Sequence, residues 1–278
     1  MFSNKIKYNF RSYYGIEMVN FLTKIKNVLP RNLRLILHKL YFDNLMIFYE
    51  KNFCSRKLYF NNLELPEYDS IIDYKTRSLI RHKLYERYEI EAINKLEFWD
   101  NNFIDLGSSI GLCSYLIGSK MSSNYKHILV EPNNILLEYS KLLMSKLENK
   151  NIIFVNKAIG YGAETMFFDP SDNILSGKVI NYEIETDFES VNCTNIESII
   201  KTHKIQSFNL LIDIEGLSFL PIFNEEATFK MCKKLIIEES FGEKYNLQDI
   251  KDQLEKLGFR IIFNKETWGS NIIGAEKI

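Results

Sequence analysis

The sequence predicts a doubly wound, mostly parallel α/β sheet that closes in an antiparallel hairpin and is preceded by a helical N-terminal extension. Three observations predict it. From Asn102 onward, short apolar runs alternate with stretches of helical periodicity, as strand-helix-strand units require. A glycine turn from Gly107 to Gly111 separates the first apolar run from the first of those helices. Near the end, two apolar runs at 260–263 and 271–275 are joined by a short turn, which predicts the hairpin.

The front of the chain has a different character. Val19, Leu22, Ile25 and Leu29 recur at helical spacing, and after Pro30 so do Leu33, Ile36, Leu37, Leu40 and Tyr41, with basic residues between them. Residues 1–60 carry 11 Lys or Arg against three acids, a net +8, while the other 218 residues carry −9. Residues 1–80 therefore read as a basic helical extension and 81–278 as the main domain. Two basic amphipathic helices suit peripheral contact with an anionic membrane, a polyanionic glycan or nucleotide-sugar, or a partner subunit, homo-oligomer included; covering the main domain is the plainer use. Nucleic acid is not expected, since the remainder is acidic and shows no nucleic-acid motif.

In the main domain Phe103, Ile104 and Leu106 form a buried strand, and Gly107 permits positive φ or close backbone approach at its end. Ile110, Leu112, Tyr115 and Leu116 follow at helical spacing, which puts Gly111 in the first turn of a helix. The spacing is Asp-x-Gly-x-x-x-Gly, not the Gly-x-Gly-x-x-Gly of dinucleotide folds. An acid at the strand end, Asp105, suits an amino-bearing ligand better than a pyrophosphate. A second strand ends in Glu131, 24 positions after Gly107, where a carboxylate can accept ribose hydroxyls. Pro132 stops that strand, and the next helix presents Ile135, Leu136, Tyr139, Leu142 and Leu143. Strands follow at 151–156 and 165–168, with Ala158 and Gly160 small enough to leave room for a flat base. A capping box at 194–197 opens a short helix, 208–213 is a buried strand, and 219–229 is helical. The strand 235–237 and a helix from 247 to 257, closed by Gly258, precede the hairpin.

Four motifs in this order, Asp105-Leu-Gly107-Ser-Ser-Ile-Gly111, Glu131-Pro-Asn133, Lys157-Ala-Ile-Gly160 and Leu211-Ile-Asp-Ile-Glu-Gly216, resemble those of FkbM-type S-adenosylmethionine-dependent methyltransferases. Tyr88-Glu-Ile-Glu91 resembles the segment that often precedes the family's first strand, and the resemblance covers residues 85–274. It implies a Rossmann-like methyltransferase sheet, with S-adenosyl-L-methionine held by Glu91, Asp105, Gly107, Ser108, Gly111, Glu131, Pro132 and Ala158. The turn would take the methionine part, Glu131 the ribose and the Ala158 region the adenine. Asp213 and Glu215 fall on the substrate side and are the candidate catalytic pair. The family commonly has a lysine where this chain has Leu211, so any role of that lysine is absent here.

Methyl transfer requires a nucleophile aligned opposite the departing sulfur, and a hydroxyl nucleophile needs a base or metal near pH 7. Asp213 and Glu215 are the candidate bases, with a structural role for Glu215 as the alternative. A divalent metal gathered by Asp213, Glu238 and Glu239 is a less favoured addition. His127 and His203 are expected far from the ligand, and His38 and His82 belong to the front region. The resemblance implies an O-methyltransferase acting on a sugar hydroxyl of a bacterial surface polysaccharide or its nucleotide-linked precursor. A secondary-metabolite acceptor and a catalytically silent module of a glycan-assembly complex are the alternatives. Substrate recognition is expected of the insertion at 169–192, and Gly107→Val is expected to block the cofactor while leaving the fold intact.

Composition agrees with an ordinary globular enzyme: 278 residues at 46% hydrophobic content can bury a sizeable core. No run reaches the roughly 18 to 20 apolar residues of a membrane span, and the start lacks a signal-peptide core, so the expected location is cytoplasmic, with peripheral contact at the inner membrane face as an option. Cys54, Cys113, Cys193 and Cys232 have no C-x-x-C or histidine pattern, which leaves neither a zinc site nor a disulfide framework.

Overall fold

The computed structural model describes residues 44, 46–67, 71–148, 150–162, 164–169, 178–180, 189–214, 216–240, 246–267 and 270–278. The chain divides into two compact units, Met1–Arg87 and Tyr88–Ile278. The two amphipathic helices expected before residue 43 lie outside the described residues, as does Glu215.

Within the first unit, α1 (Ile47–Phe53) and α2 (Tyr74–Arg81) flank a hairpin of β1 (Tyr59–Phe60) and β2 (Leu63–Glu64), so its described part is not purely helical. Glu50, on α1, is 3% exposed and ties the helices together. Arg81 grips it with both arms of the guanidinium, Nε to Oε2 and Nη2 to Oε1 at 2.8 Å each. His82 belongs to this unit, where burial lowers its pKa.

The second unit is a doubly wound α/β domain. After α3 (Arg87–Leu96) the chain forms β3 (Asn102–Leu106), α4 (Leu112–Lys120), β4 (Lys126–Val130), α5 (Asn134–Met144) and β5 (Asn151–Val155). Then come β6 (Ala158–Ile159), β7 (Thr165–Asp169), β8 (Lys178–Ile180), β9 (Glu189–Thr194) and α6 (Ile196–His203). The chain finishes with β10 (Phe208–Ile212), α7 (Leu220–Asn224), β11 (Cys232–Ser240), α8 (Leu247–Lys256), β12 (Phe259–Glu266) and β13 (Ser270–Lys277). Seven strands form the main sheet in the order β12-β13-β11-β10-β3-β4-β5, parallel except for β13, which runs antiparallel to both its neighbours. From β3 the chain winds outward to β4 and β5, then returns to β10 on the other side. The gap past the C-terminal ends of β3 and β10 is thus the topological switch point, where open α/β sheets bind ligands.

Both faces of the sheet are covered, so its central strands are apolar on both sides. Leu106, Val130, Ile212 and Ile237 join a core with Ile196, Ile222, Phe229, Ile250 and Leu254. On the other face, α3 packs so closely on β13 that a Cβ at Gly274 would stand 2.9 Å from Leu96 and 3.7 Å from Ala92.

Three local readings of the sequence are corrected. The helix predicted at 219–229 is one turn of α-helix, α7, and a 3₁₀ turn at Thr228–Lys230, because the chain is interrupted at Glu225 to Ala227. The strand read at 165–168 is present as β7 and lies in a second sheet, ordered β6-β9-β7-β8, which includes the described parts of the 169–192 insertion. On α5 the buried face is Leu136, Leu137, Tyr139, Ser140, Leu143 and Met144, while Ile135 and Leu142 are exposed. The cap of α6 is Asn195, whose side chain accepts from the Ser198 N–H, and Glu225 accepts the N–H groups of Ile196 and Glu197. No helix among the described residues is long and apolar enough to cross a membrane.

Candidate functional site

The turn between β3 and α4 is held from both sides of β3. Gly107 and Ser108 both donate their N–H groups to the Val130 carbonyl, at 2.9 and 3.1 Å, which fastens the turn to the end of β4. On the other side the Asp213 N–H donates to the Leu106 carbonyl at 2.9 Å. Gly107 has φ +85°, and a Cβ there would lie 1.9 Å from the Asp213 carbonyl oxygen. This corrects the expectation for Gly107→Val: the glycine makes room for the neighbouring backbone, so any side chain breaks the junction of β3 and β10.

Ser109 and Gly111 continue the turn at φ +48° and +80°. Gly111 is the N-cap of α4, one position ahead of the helix, and its missing side chain admits α5: an added Cβ would meet Ser140 Oγ at 3.0 Å. Ser140 Oγ in turn donates to the Ser109 carbonyl at 2.8 Å.

Glu131 fastens the turn to the next loop. Its Oε2 accepts the Ser109 N–H at 2.8 Å and its Oε1 accepts the Asn133 N–H at 2.9 Å. Asn133 caps α5 with its own side chain, and Asn156 donates to the carbonyls of Glu131 and Pro132. Glu131 is 5% exposed, and burial pushes its pKa up to about 7 against the pull of those two N–H groups. With both oxygens engaged once, it keeps lone pairs for further donors such as ribose hydroxyls.

Asp105 is 1% exposed at the end of β3. Its Oδ2 accepts from Ser114 Oγ of α4 at 2.5 Å, while its Oδ1 is buried without a partner. Burial drives its pKa up to about 7; the Ser114 bond opposes the shift and the neighbouring Glu131 charge adds to it. The hydroxyls of Ser108 and Ser109 are likewise buried and unpartnered. Three unsatisfied polar atoms in one turn are unusual, because native interiors pair nearly all their polar groups. Acceptor and hydroxyl groups left open in this way fit the amino and carboxyl ends of an amino-acid ligand.

Sequence reasoning missed the partners of Asp105. Ser114 Oγ also lies 3.0 Å from His127 Nε2, so a polar chain runs from β4 through α4 to β3. His127 is completely buried, and desolvation pushes its pKa down to about 3, which keeps the ring neutral. As predicted it stands near the start of its strand, yet Ser114 connects it to the acid at the far end of β3. Only a small hydroxyl residue, Ser114, set among the apolar positions of α4 hints at a polar contact under the turn.

Asp213 is half-buried just past the end of β10, its backbone carbonyl directly beside Gly107. Other predicted residues are placed differently. Glu91 is exposed on α3, two positions on from the buried Glu89. Ala158 is fully buried and paired in register with Cys193 of β9, and a Cβ at Gly160 would meet Cys193 Sγ and Met166 Sδ, so the absent side chain there serves packing between strands. Glu238 and Glu239 are consecutive in β11 and point to opposite faces, which prevents them from converging with Asp213 on one ion. Glu238 accepts from Ser270 Oγ at 2.5 Å; Glu239 is 4% exposed and both its oxygens lack partners.

No family model matches the chain, and no curated protein matches it. Solved structures similar to it include magnesium protoporphyrin IX methyltransferase of Synechocystis PCC 6803 with bound SAM, 10% identical, covering 90% of this chain and 98% of that one at a TM-score of 0.42. Another is the precorrin-6y C5,15-methyltransferase of Geobacter metallireducens, 14% identical over 69% of this chain and 88% of that one, with a TM-score of 0.40. A third is TrmK of M. capricolum in complex with S-adenosyl-homocysteine, 11% identical over 68% of each chain, at a TM-score of 0.43.

Proposed function

We propose that this chain is an S-adenosylmethionine-dependent methyltransferase of FkbM type. The observation that carries this reading is the set of unpartnered buried atoms at the switch point, Asp105 Oδ1 and the hydroxyls of Ser108 and Ser109, with Glu131 across the turn. Asp105 then takes the ammonium of the cofactor, the two serines its carboxylate end, and Glu131 the ribose. When bound, S-adenosylmethionine supplies a methyl group already activated by its sulfonium. The protein contributes orientation and the exclusion of water by the apolar walls of β3, β4 and β10.

The acceptor is a hydroxyl, most fittingly of a sugar in a surface polysaccharide or its nucleotide-linked precursor, a reading supported by the motif resemblance. Asp213, half-buried beside Gly107, is the base that receives the hydroxyl proton as the oxygen attacks. Contact of the basic front with an anionic surface or a second subunit belongs to the same proposal.

Calorimetric titration with S-adenosylmethionine, S-adenosylhomocysteine and NAD tests the cofactor. Micromolar binding of the first two and none of NAD is expected; the reverse preference, or no binding, overturns the reading. Asp213→Asn is expected to keep cofactor affinity and lose on the order of 100-fold in turnover, the usual size of a general-base contribution. Unchanged turnover would remove Asp213 from the chemistry.

A further inference from the structure

We propose that Ser114 and His127 are positioning residues that hold Asp105 as an anion with one oxygen reserved for the cofactor's ammonium. The inference rests on the cofactor reading above, and it follows from how protons must be arranged along the chain of contacts. Ser114 has one hydroxyl proton, and the 2.5 Å contact to Asp105 Oδ2 uses it when Asp105 is ionised. The 3.0 Å contact to His127 Nε2 must then be donated by the ring, which fixes the Nε2–H tautomer.

The surroundings of His127 fit that assignment. Its Nδ1 has no hydrogen-bond partner and faces the backbone of α4 at Gly118, where an added Cβ would come within 3.1 Å. The other tautomer would put an N–H there with no acceptor, and orphaned buried N–H groups are rare. Phe103 covers the ring with a centroid distance of 4.9 Å, so its orientation is fixed by packing. The imidazole therefore polarises the serine and the serine stabilises the carboxylate, all by neutral groups. Oδ1 is left over by construction: Ser114 of α4 occupies Oδ2, and nothing among the described residues occupies its twin.

Other ionisable groups bear on Asp105. Glu131 at the end of β4 repels its negative charge, His127 acts through Ser114, Lys150 acts on His127, and Asp213 stands across the turn at the end of β10. Glu131 also titrates near neutrality, so its effect must be separated from that of Asp105. The two carboxylates have different ligand partners in the proposal, and that difference provides the control.

The experiment compares wild type with Ser114→Ala, titrating each with S-adenosylhomocysteine and with 5′-methylthioadenosine from about pH 6 to about pH 9. The second ligand carries the same thioether nucleoside but no amino-acid end. Protonation of Glu131 weakens both ligands, whereas protonation of Asp105 weakens only the first. In Ser114→Ala the acid limb of S-adenosylhomocysteine affinity is expected to move up by about one pH unit, with on the order of tenfold weaker binding near neutrality. The 5′-methylthioadenosine profile is expected to stay as in wild type. Ser114→Thr, which keeps the hydroxyl, should restore the wild-type limb. His127→Phe should move it in the same direction by less, and it carries the test if Ser114→Ala fails to fold. An unmoved acid limb in both variants, or equal loss of the two ligands, overturns the inference. Failure of wild type to bind either ligand would instead overturn the cofactor reading, and this inference with it.

Discussion

Gly107 shows how much a single residue position governs in this fold. Its φ of +85° already disfavours a side chain, and the Asp213 carbonyl fills the space where one would begin. Gly107→Ala is expected to cost at least about 2 kcal/mol of stability, the sum of a left-handed backbone and overpacking against main chain. Urea denaturation of the purified variant checks this; near-wild-type stability with only cofactor binding lost would restore the simpler view of the glycine as a floor for the ligand. At this scale the sequence was partly legible. The Asp-x-Gly spacing located the turn, because glycine and strand-end acids carry local signals. The partners Ser114 and His127 were illegible, because their contact depends on how α4 lies over β3 and β4. The burial of Glu89 and exposure of Glu91 were illegible for a related reason: two acids two positions apart on a helix point in different directions, and only packing decides which one is buried.

Among the elements, α6 illustrates a start built from two separate parts of the chain. Asn195 caps the helix locally, and Glu225, 30 residues on, accepts the N–H groups of Ile196 and Glu197 at 2.9 and 2.6 Å. The same carboxylate takes the Tyr161 hydroxyl, so it joins β6, α6 and the turn after α7. Asn195→Ala is expected to cost about 1 kcal/mol, the ordinary value of a cap. Glu225→Ala should cost at least about 1 kcal/mol more, since it strands buried donors. Chemical denaturation of the two variants side by side decides it, and equal losses would reduce Glu225 to an ordinary surface acid. Periodicity placed the strands of the main sheet well, since each is a continuous apolar run flanked by turn residues. It placed the second sheet poorly: β7, β8 and β9 pair with one another, and a short strand's sequence does not say which neighbour it will take.

At the scale of the molecule, buried carboxylates set the response to pH. Glu239 has no partner for either oxygen, and burial lifts its pKa from the ordinary 4.5 to about 7. Below the ordinary value the group is neutral in both the folded and unfolded states and costs nothing. As pH rises from there through about 7 the unfolded chain ionises more readily, so stability contributed by the neutral carboxyl is lost over that window, at most roughly 3 kcal/mol. Asp105 and Glu131 act with the same sign. Thermal denaturation from about pH 5 to about pH 8 should therefore show the ligand-free protein losing stability, and Glu239→Leu should flatten that slope and raise the melting temperature at the alkaline end. A variant with the wild-type slope would mean that Glu239 finds a donor in solution.

The position of β13 has a consequence for biosynthesis. It lies between β11 and β12, and among the described residues β12 has no other strand beside it in the main sheet. A ribosome makes β11 first, then β12, and only afterwards the strand that joins them, so this edge of β11 stays open until β13 has emerged. Throughout that interval the apolar stretch Leu235–Ile237 has a free edge, the kind that recruits other nascent chains. Stalling or truncation ahead of β13 should for this reason be far more damaging to yield than the loss of one strand would suggest.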